Sequence, residues 1–132
     1  MVNKIRIMTN AASPASGTYS QAIRTGDLVF VTAQTGRTDT GKLEDGVEAQ
    51  TRQALANVEA ILNAAGCSPA DIVKTTIMLA DINDFKAVDV IYAAWLPGLG
   101  ITPLPVRTAF AAASLPAGAL IMIDVIAAFP ID

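Results

Sequence analysis

The last third of the chain decides how the rest is read: Val106-Arg107-Thr108-Ala109-Phe110-Ala111-Ala112, then Leu115-Pro116-Ala117-Gly118, then Leu120-Ile121-Met122-Ile123-Asp124-Val125-Ile126-Ala127-Ala128. From Ala109 to Ile131 the run is apolar enough to suggest a membrane span, yet Ser114, Pro116, Gly118 and Asp124 interrupt it. A spanning helix needs about 20 consecutive apolar residues, and Pro and Gly favour turns. Two strands joined by Leu115-Pro116-Ala117-Gly118 fit better, and no membrane partner is expected. Inside these strands stand Arg107 and Asp124, and no other side chain between Asp89 and Asp132 carries a charge. Charges enter apolar strands with a partner or a task. One reading makes the two a structural ion pair between neighbouring strands. The other makes Arg107 a fork for a substrate carboxylate, with Asp124 beside it as acid or base.

Working outward, apolar runs bounded by turn residues continue toward the N-terminus. Lys4 to Met8, Leu28 to Thr35 and Ile72 to Leu79 read as strands, and Ala22 to Thr25 forms a short arm pairing with the second of these through Gly26-Asp27. Two stretches carry helical spacing instead. In the first, Val47, Ala54, Leu55, Val58, Ile61, Leu62 and Ala65 recur at threes and fours between Asp45-Gly46 and Gly66. The second starts near Asn83 or Asp84, buries Phe85, Val88, Tyr92 and Trp95 or Leu96, shows Lys86 and Asp89 on its polar face, and stops at Pro97-Gly98. Strand-helix-strand units require crossovers, whereas hairpins at the two ends pair antiparallel. The expected fold is therefore a single α+β domain over residues 1–132, a mixed six-stranded sheet with both helices on one face and its closing strands paired as a hairpin. No third helix remains to cover the other face, which points to another copy of the chain.

The chain has 132 residues, no histidine, one cysteine and a formal net charge of −3. A chain of this length buries about two thirds of its unfolded surface, enough for one core. Without imidazole, a Ser-His-Asp triad, a Cys-His pair and a His-ligated zinc site are all excluded. Cys67 has no second thiol for a disulfide or a CxxC site, which points to a reducing, cytoplasmic setting without a metal. The acidic balance makes nucleic acid an unexpected partner, because a phosphate backbone calls for a basic face. Met1-Val2-Asn3-Lys4-Ile5-Arg6 carries basic residues without the apolar stretch of a signal peptide behind them.

Most local motifs read as structure. Gly36-Arg37-Thr38-Asp39-Thr40-Gly41-Lys42-Leu43 approaches a phosphate-binding loop, but Leu43 stands where a hydroxyl must hold magnesium, so a hairpin loop is expected. Asp81-Ile82-Asn83-Asp84 and Ser68-Pro69-Ala70-Asp71 read as helix caps. Cys67 has no basic neighbour in sequence to activate it, and Tyr92 and Trp95 read as core. Gly17-Thr18-Tyr19-Ser20-Gln21 suits a solvated loop or a site lid equally.

Several stretches, taken in order, resemble the RidA/YjgF family of reactive intermediate deaminases. They are Tyr19-Ser20-Gln21-Ala22-Ile23, Gln50-Thr51-Arg52-Gln53-Ala54-Leu55-Ala56-Asn57-Val58, Asp71-Ile72-Val73-Lys74-Thr75-Thr76, Asp81-Ile82-Asn83-Asp84-Phe85, Pro105-Val106-Arg107-Thr108, Leu115-Pro116 and Ile123-Asp124-Val125-Ile126-Ala127. The resemblance implies a chorismate-mutase-like domain assembled as a barrel-like homotrimer, with sites between subunits. It also implies cofactor-free hydrolysis of enamines and imines such as 2-aminoacrylate and 2-iminopropanoate to 2-oxo acids and ammonia. Arg107 falls on the arginine that grips the substrate carboxylate, and Asp124 on the usual glutamate that activates water. Tyr19 matches the loop tyrosine, Thr32 stands for a serine, and Ala109, where many members have a cysteine, keeps a backbone carbonyl for the water. Asp89 replaces a common asparagine and Ala33 a common glycine. The shorter Asp124 and these exchanges admit alternatives: a bulkier substrate, as in an aminomuconate-like deaminase or a tautomerase, or a non-enzymatic module that binds small carboxylates. RNA cleavage, attributed to relatives, ranks behind these on charge and the missing histidine.

Overall fold

The computed structural model describes residues 2–99 and 102–130; Met1, Ile131 and Asp132, which bound stretches weighed above, lie outside them. Along the chain follow β1 (Ile5–Ile7), β2 (Ala22–Thr25), β3 (Leu28–Gln34), α1 (Val47–Ala64), β4 (Ile72–Leu79), α2 (Phe85–Trp95), β5 (Val106–Ala111) and β6 (Ile121–Ala128). The strands form one six-stranded sheet in the order β1-β2-β3-β6-β4-β5. Only the β4–β5 pair is parallel, as the α2 crossover between them demands.

Strict alternation makes β6 the centre of the sheet. Ile121, Ile123, Val125 and Ala127 are buried and share one core with Leu55, Val58, Ile61 and Leu62 of α1 and Val88 and Tyr92 of α2. Each large side chain buried there contributes about 1.5–3 kcal/mol, so slipping β6 by one residue would turn that stabilisation outward. Met122, Asp124, Ile126 and Ala128 point to the opposite face, which carries no helix. β5 and β6, expected to pair as a hairpin, are not partners. β6 enters between β3 and β4, antiparallel to both, where its apolar row is fully covered. The mostly exposed β5 takes the edge beside β4. Leu115-Pro116-Ala117-Gly118 therefore spans a longer excursion than a hairpin turn.

Local signals set the element boundaries. α1 ends at Gly66 (φ 86°), where Cys67 N–H donates to the Leu62 carbonyl (2.9 Å) and Gly66 N–H to that of Asn63 (3.0 Å), satisfying two of its last carbonyls. Ser68 and Asp71 form the capping box expected of them, and the Asp81 carboxylate accepts from Asn83 N–H at 2.9 Å. The Gly36–Leu43 stretch is a hairpin loop closed by an Arg37–Leu43 bridge. It lies so close to α1 that a Cβ on Gly36 would stand 2.4 Å from the Gln50 Cα.

Candidate functional site

Asp124 sits mid-strand on the helix-free face, directly across from Thr76 of β4. On its other side the pairing jumps from Val31↔Val125 to Gln34↔Ile123, a bulge that sets both Thr32 and Ala33 opposite Asp124. Burial pushes the Asp124 carboxyl above its ordinary value of 3.8, against the pull of the hydrogen-bonded Thr76 hydroxyl and the Lys74 charge. A carboxylate shifted toward neutrality is a stronger acceptor of a water proton than a solvated one.

Tyr19 reaches the same region from the N-terminal loop. That loop is tied by Gln21, a buried amide whose Oε1 accepts from Thr9 N–H at 2.7 Å and whose Nε2 donates to the Thr9 and Ser13 carbonyls at 3.1 and 2.9 Å. The Gln21 carbonyl also accepts from Thr32 N–H at 2.9 Å, so loop and β3 bulge are locked together. Between them opens a cleft of about 480 Å³ lined by Tyr19, Thr32, Ser13, Arg37, Ala117 and Met122, among others. Of the Gly17–Gln21 segment, read as a solvated loop or a site lid, Gly17, Thr18 and Tyr19 are exposed, and Tyr19 also lines the cleft. Gln21 is the residue that sequence reasoning missed. Its signals were an amide placed directly before an apolar strand and its place in the Tyr19–Ile23 stretch, where it was given no role.

Arg107 points the other way. In register with Thr75, it leaves the edge strand on the helix side, where its Nη1 donates to Asp89 Oδ1 at 2.7 Å and its guanidinium lies 4.9 Å from the Phe85 ring centre. Both partners of this ion pair are partly solvated, with side chains 37% and 41% exposed. Beneath it the Tyr92 hydroxyl donates to Thr75 Oγ1 at 2.8 Å, and burial raises the phenol's pKa. Ala109, opposite Ile77, packs against the core on that same side. Both single-chain pictures of Arg107 and Asp124 are thus corrected: they are neither an ion pair between neighbouring strands nor side by side. β4 lies between their strands, and side-chain alternation sends them to opposite faces.

One chain thus holds the candidate residues in two separate groups, Tyr19, Thr32 and Asp124 on the open face and Arg107 with Ala109 at the edge. Among the described residues, no group of three or more His, Cys, Asp and Glu converges as a metal site. No helix there is long and apolar enough to cross a membrane. The family model described as Endoribonuclease L-PSP matches residues 9–129. The chain belongs to the RidA/YjgF family. It is similar to other RidA/YjgF proteins along most of its length. It is 44% identical over 128 residues to Reactive Intermediate Deaminase A, chloroplastic, of Arabidopsis thaliana, covering 96% of this chain and 66% of that one. It is 43% identical over 123 residues to the 2-iminobutanoate/2-iminopropanoate deaminase of Rattus norvegicus, covering 92% and 87%. A crystal structure of a Rid-family protein of unknown function, YyfA from Yersinia pestis, superposes with a TM-score of 0.90 at 41% identity, over 96% of this chain and 99% of that one. The RidA-like fold expected from the sequence is the fold observed.

Proposed function

We propose that the chain hydrolyses reactive enamines and imines of the 2-aminoacrylate and 2-iminopropanoate kind to 2-oxo acids and ammonia, with no cofactor. The observation that carries this reading is its identity of 44% and 43% to proteins named as deaminases of such intermediates. Net charge and the missing imidazole weigh against the ribonuclease activity in the family model's description. The working unit in this reading is a homotrimer of single domains, residues 1–132, in the cytoplasm. Arg107 and Ala109 of one copy then face Tyr19, Thr32 and Asp124 of the next. Two observations support that arrangement: the two groups leave opposite faces of the sheet, and Leu28, Phe30, Val106 and Phe110 stand exposed.

In such a site the Arg107 fork holds the substrate carboxylate and fixes C2. Water adds to C2 as Asp124 accepts its proton; a C–O bond forms and the C=N π electrons move to nitrogen. Asp124 returns that proton to nitrogen, then takes the hydroxyl proton and passes it to the same nitrogen, which leaves as ammonia as the C–N bond breaks and the carbonyl forms. One imine and one water give one 2-oxo acid and one ammonia. The Tyr19 and Thr32 hydroxyls hydrogen-bond to substrate, and the Ala109 carbonyl orients the water. The direct assay generates 2-aminoacrylate with a serine dehydratase and follows pyruvate release. Wild type should accelerate release, and Arg107→Ala should lose about tenfold or more in kcat/KM. No acceleration over buffer with any small imino acid sinks the reading.

A further inference from the structure

Resting on that reading, the cleft beside Tyr19 and Thr32 points to a narrower class of substrate. A three-carbon imino acid has roughly six heavy atoms and fills about 180 Å³ even at the volume each water takes in the liquid. On the single chain the cleft offers about 480 Å³, within the size range of pockets built for larger ligands, before the Arg107 edge of the next copy faces it. Arg37 is the one charged residue among those lining the cleft. Of the guanidinium's five N–H groups, one on Nη1 donates to the Gly41 carbonyl at 2.8 Å and one on Nη2 to the Ala117 carbonyl at 3.3 Å. Both acceptors are neutral, and among the described residues Arg37 pairs with no carboxylate. The two backbone bonds hold the fork in place and leave three N–H groups without an acceptor in those bonds. No Asp or Glu lines the cleft, whereas Ser13, Ser16, Thr35 and the two hydroxyls already named do. A cationic, hydroxyl-rich cleft on a chain of net charge −3 is built for an anion.

We propose that Arg37 forms a second anion subsite, receiving a carboxylate at the far end of the substrate, so that the favoured substrates are imines of 2-oxo dicarboxylic acids. In this arrangement the C2 end sits at the Thr32–Ala33 edge of the cleft, across the strand pair from Asp124, which stands outside the lining, and the side chain runs through the cleft toward Arg37. Calorimetric titration of the wild-type protein with 2-oxopentanedioate and 2-oxohexanedioate, each against its ω-amide of equal size, tests this. At least one diacid should bind about tenfold or more tightly than its amide, the difference a charge-assisted hydrogen bond supplies. Arg37→Gln should bring the two within about twofold, Arg37→Lys should keep part of the gap, and pyruvate binding should be unchanged by either. Equal binding of acid and amide by the wild type, or a gap that survives Arg37→Gln, overturns the subsite. In parallel, turnover of the glutamate-derived imine is compared with that of the glutamine-derived one. Binding preference without turnover of any imine overturns the deaminase reading and leaves the subsite standing; turnover without preference does the reverse.

Discussion

Asp89→Asn should tighten the hold of Arg107 on a carboxylate. In the structure the guanidinium already donates to Asp89 at 2.7 Å, so an incoming carboxylate shares it with a resident anion. Two unit charges about 5 Å apart repel by about 0.8 kcal/mol in water and about 3 kcal/mol at an effective dielectric constant near 20. With the two side chains 37% and 41% exposed, the lower end applies, about 0.5–1 kcal/mol after solvent screening. The substitution removes that repulsion but keeps an amide oxygen to accept the Nη1 hydrogen bond, so the guanidinium stays over Phe85. Pyruvate, titrated calorimetrically at low ionic strength, should bind about two- to fivefold more tightly to Asp89→Asn than to wild type. The gain should shrink near 1 M salt, where charges more than about 3 Å apart are screened. Asp89→Ala, which also removes the hydrogen bond, should show a smaller gain or a loss, because the fork is no longer oriented. Unchanged or weaker binding in Asp89→Asn at low salt, with Arg107→Ala still abolishing binding, refutes the competition.

Three further outcomes follow from named contacts. Asp124→Asn should abolish catalysis yet raise thermal stability near neutral pH. The folded carboxyl is raised above 3.8, so stability that is full below that value is lost as pH rises through the folded pKa; melting curves from about pH 4 to 7 should show the variant's gain fading toward the acid end. Gly36→Ala should cost about 1–3 kcal/mol or more, because its Cβ would stand 2.4 Å from the Gln50 Cα on α1, and a melting temperature within a degree of wild type would contradict that contact. Sedimentation should give a trimer, with Phe30→Glu shifting it toward monomer and lowering deaminase activity in step; a fully active monomer would dismantle the intersubunit site.

The elements were legible because their signals are local. Period-2 runs gave strands, α1 ended at the Gly66 expected to end it, and Ser68-Pro69-Ala70-Asp71 capped as its residue types require. Strand order was not legible. Nothing within Leu115-Pro116-Ala117-Gly118 distinguishes a hairpin from an excursion; that depended on which slot covers the alternating face of β6. The site was legible as residue types and illegible as geometry. Arg107 and Asp124 stand out because charges are costly in apolar strands, but the parity of each strand and its place in the sheet fix the face each side chain takes. The Asp89 partner and the buried Gln21 anchor were hidden for the same reason, since each acts across a long sequence separation.

By itself, then, the sequence determined an α+β chain that lacks imidazole and carries one arginine and one carboxylate inside its apolar closing strands, because side-chain types and their periods are properties of the chain alone. The tertiary structure decided that the two charges leave the sheet on opposite faces and that Arg37 lines a cleft on the side of Thr32 and Tyr19. Packing of β6 at the centre of the sheet, a contest among whole elements for burial, settled the first, and the Arg37 bonds to the Gly41 and Ala117 carbonyls settled the second.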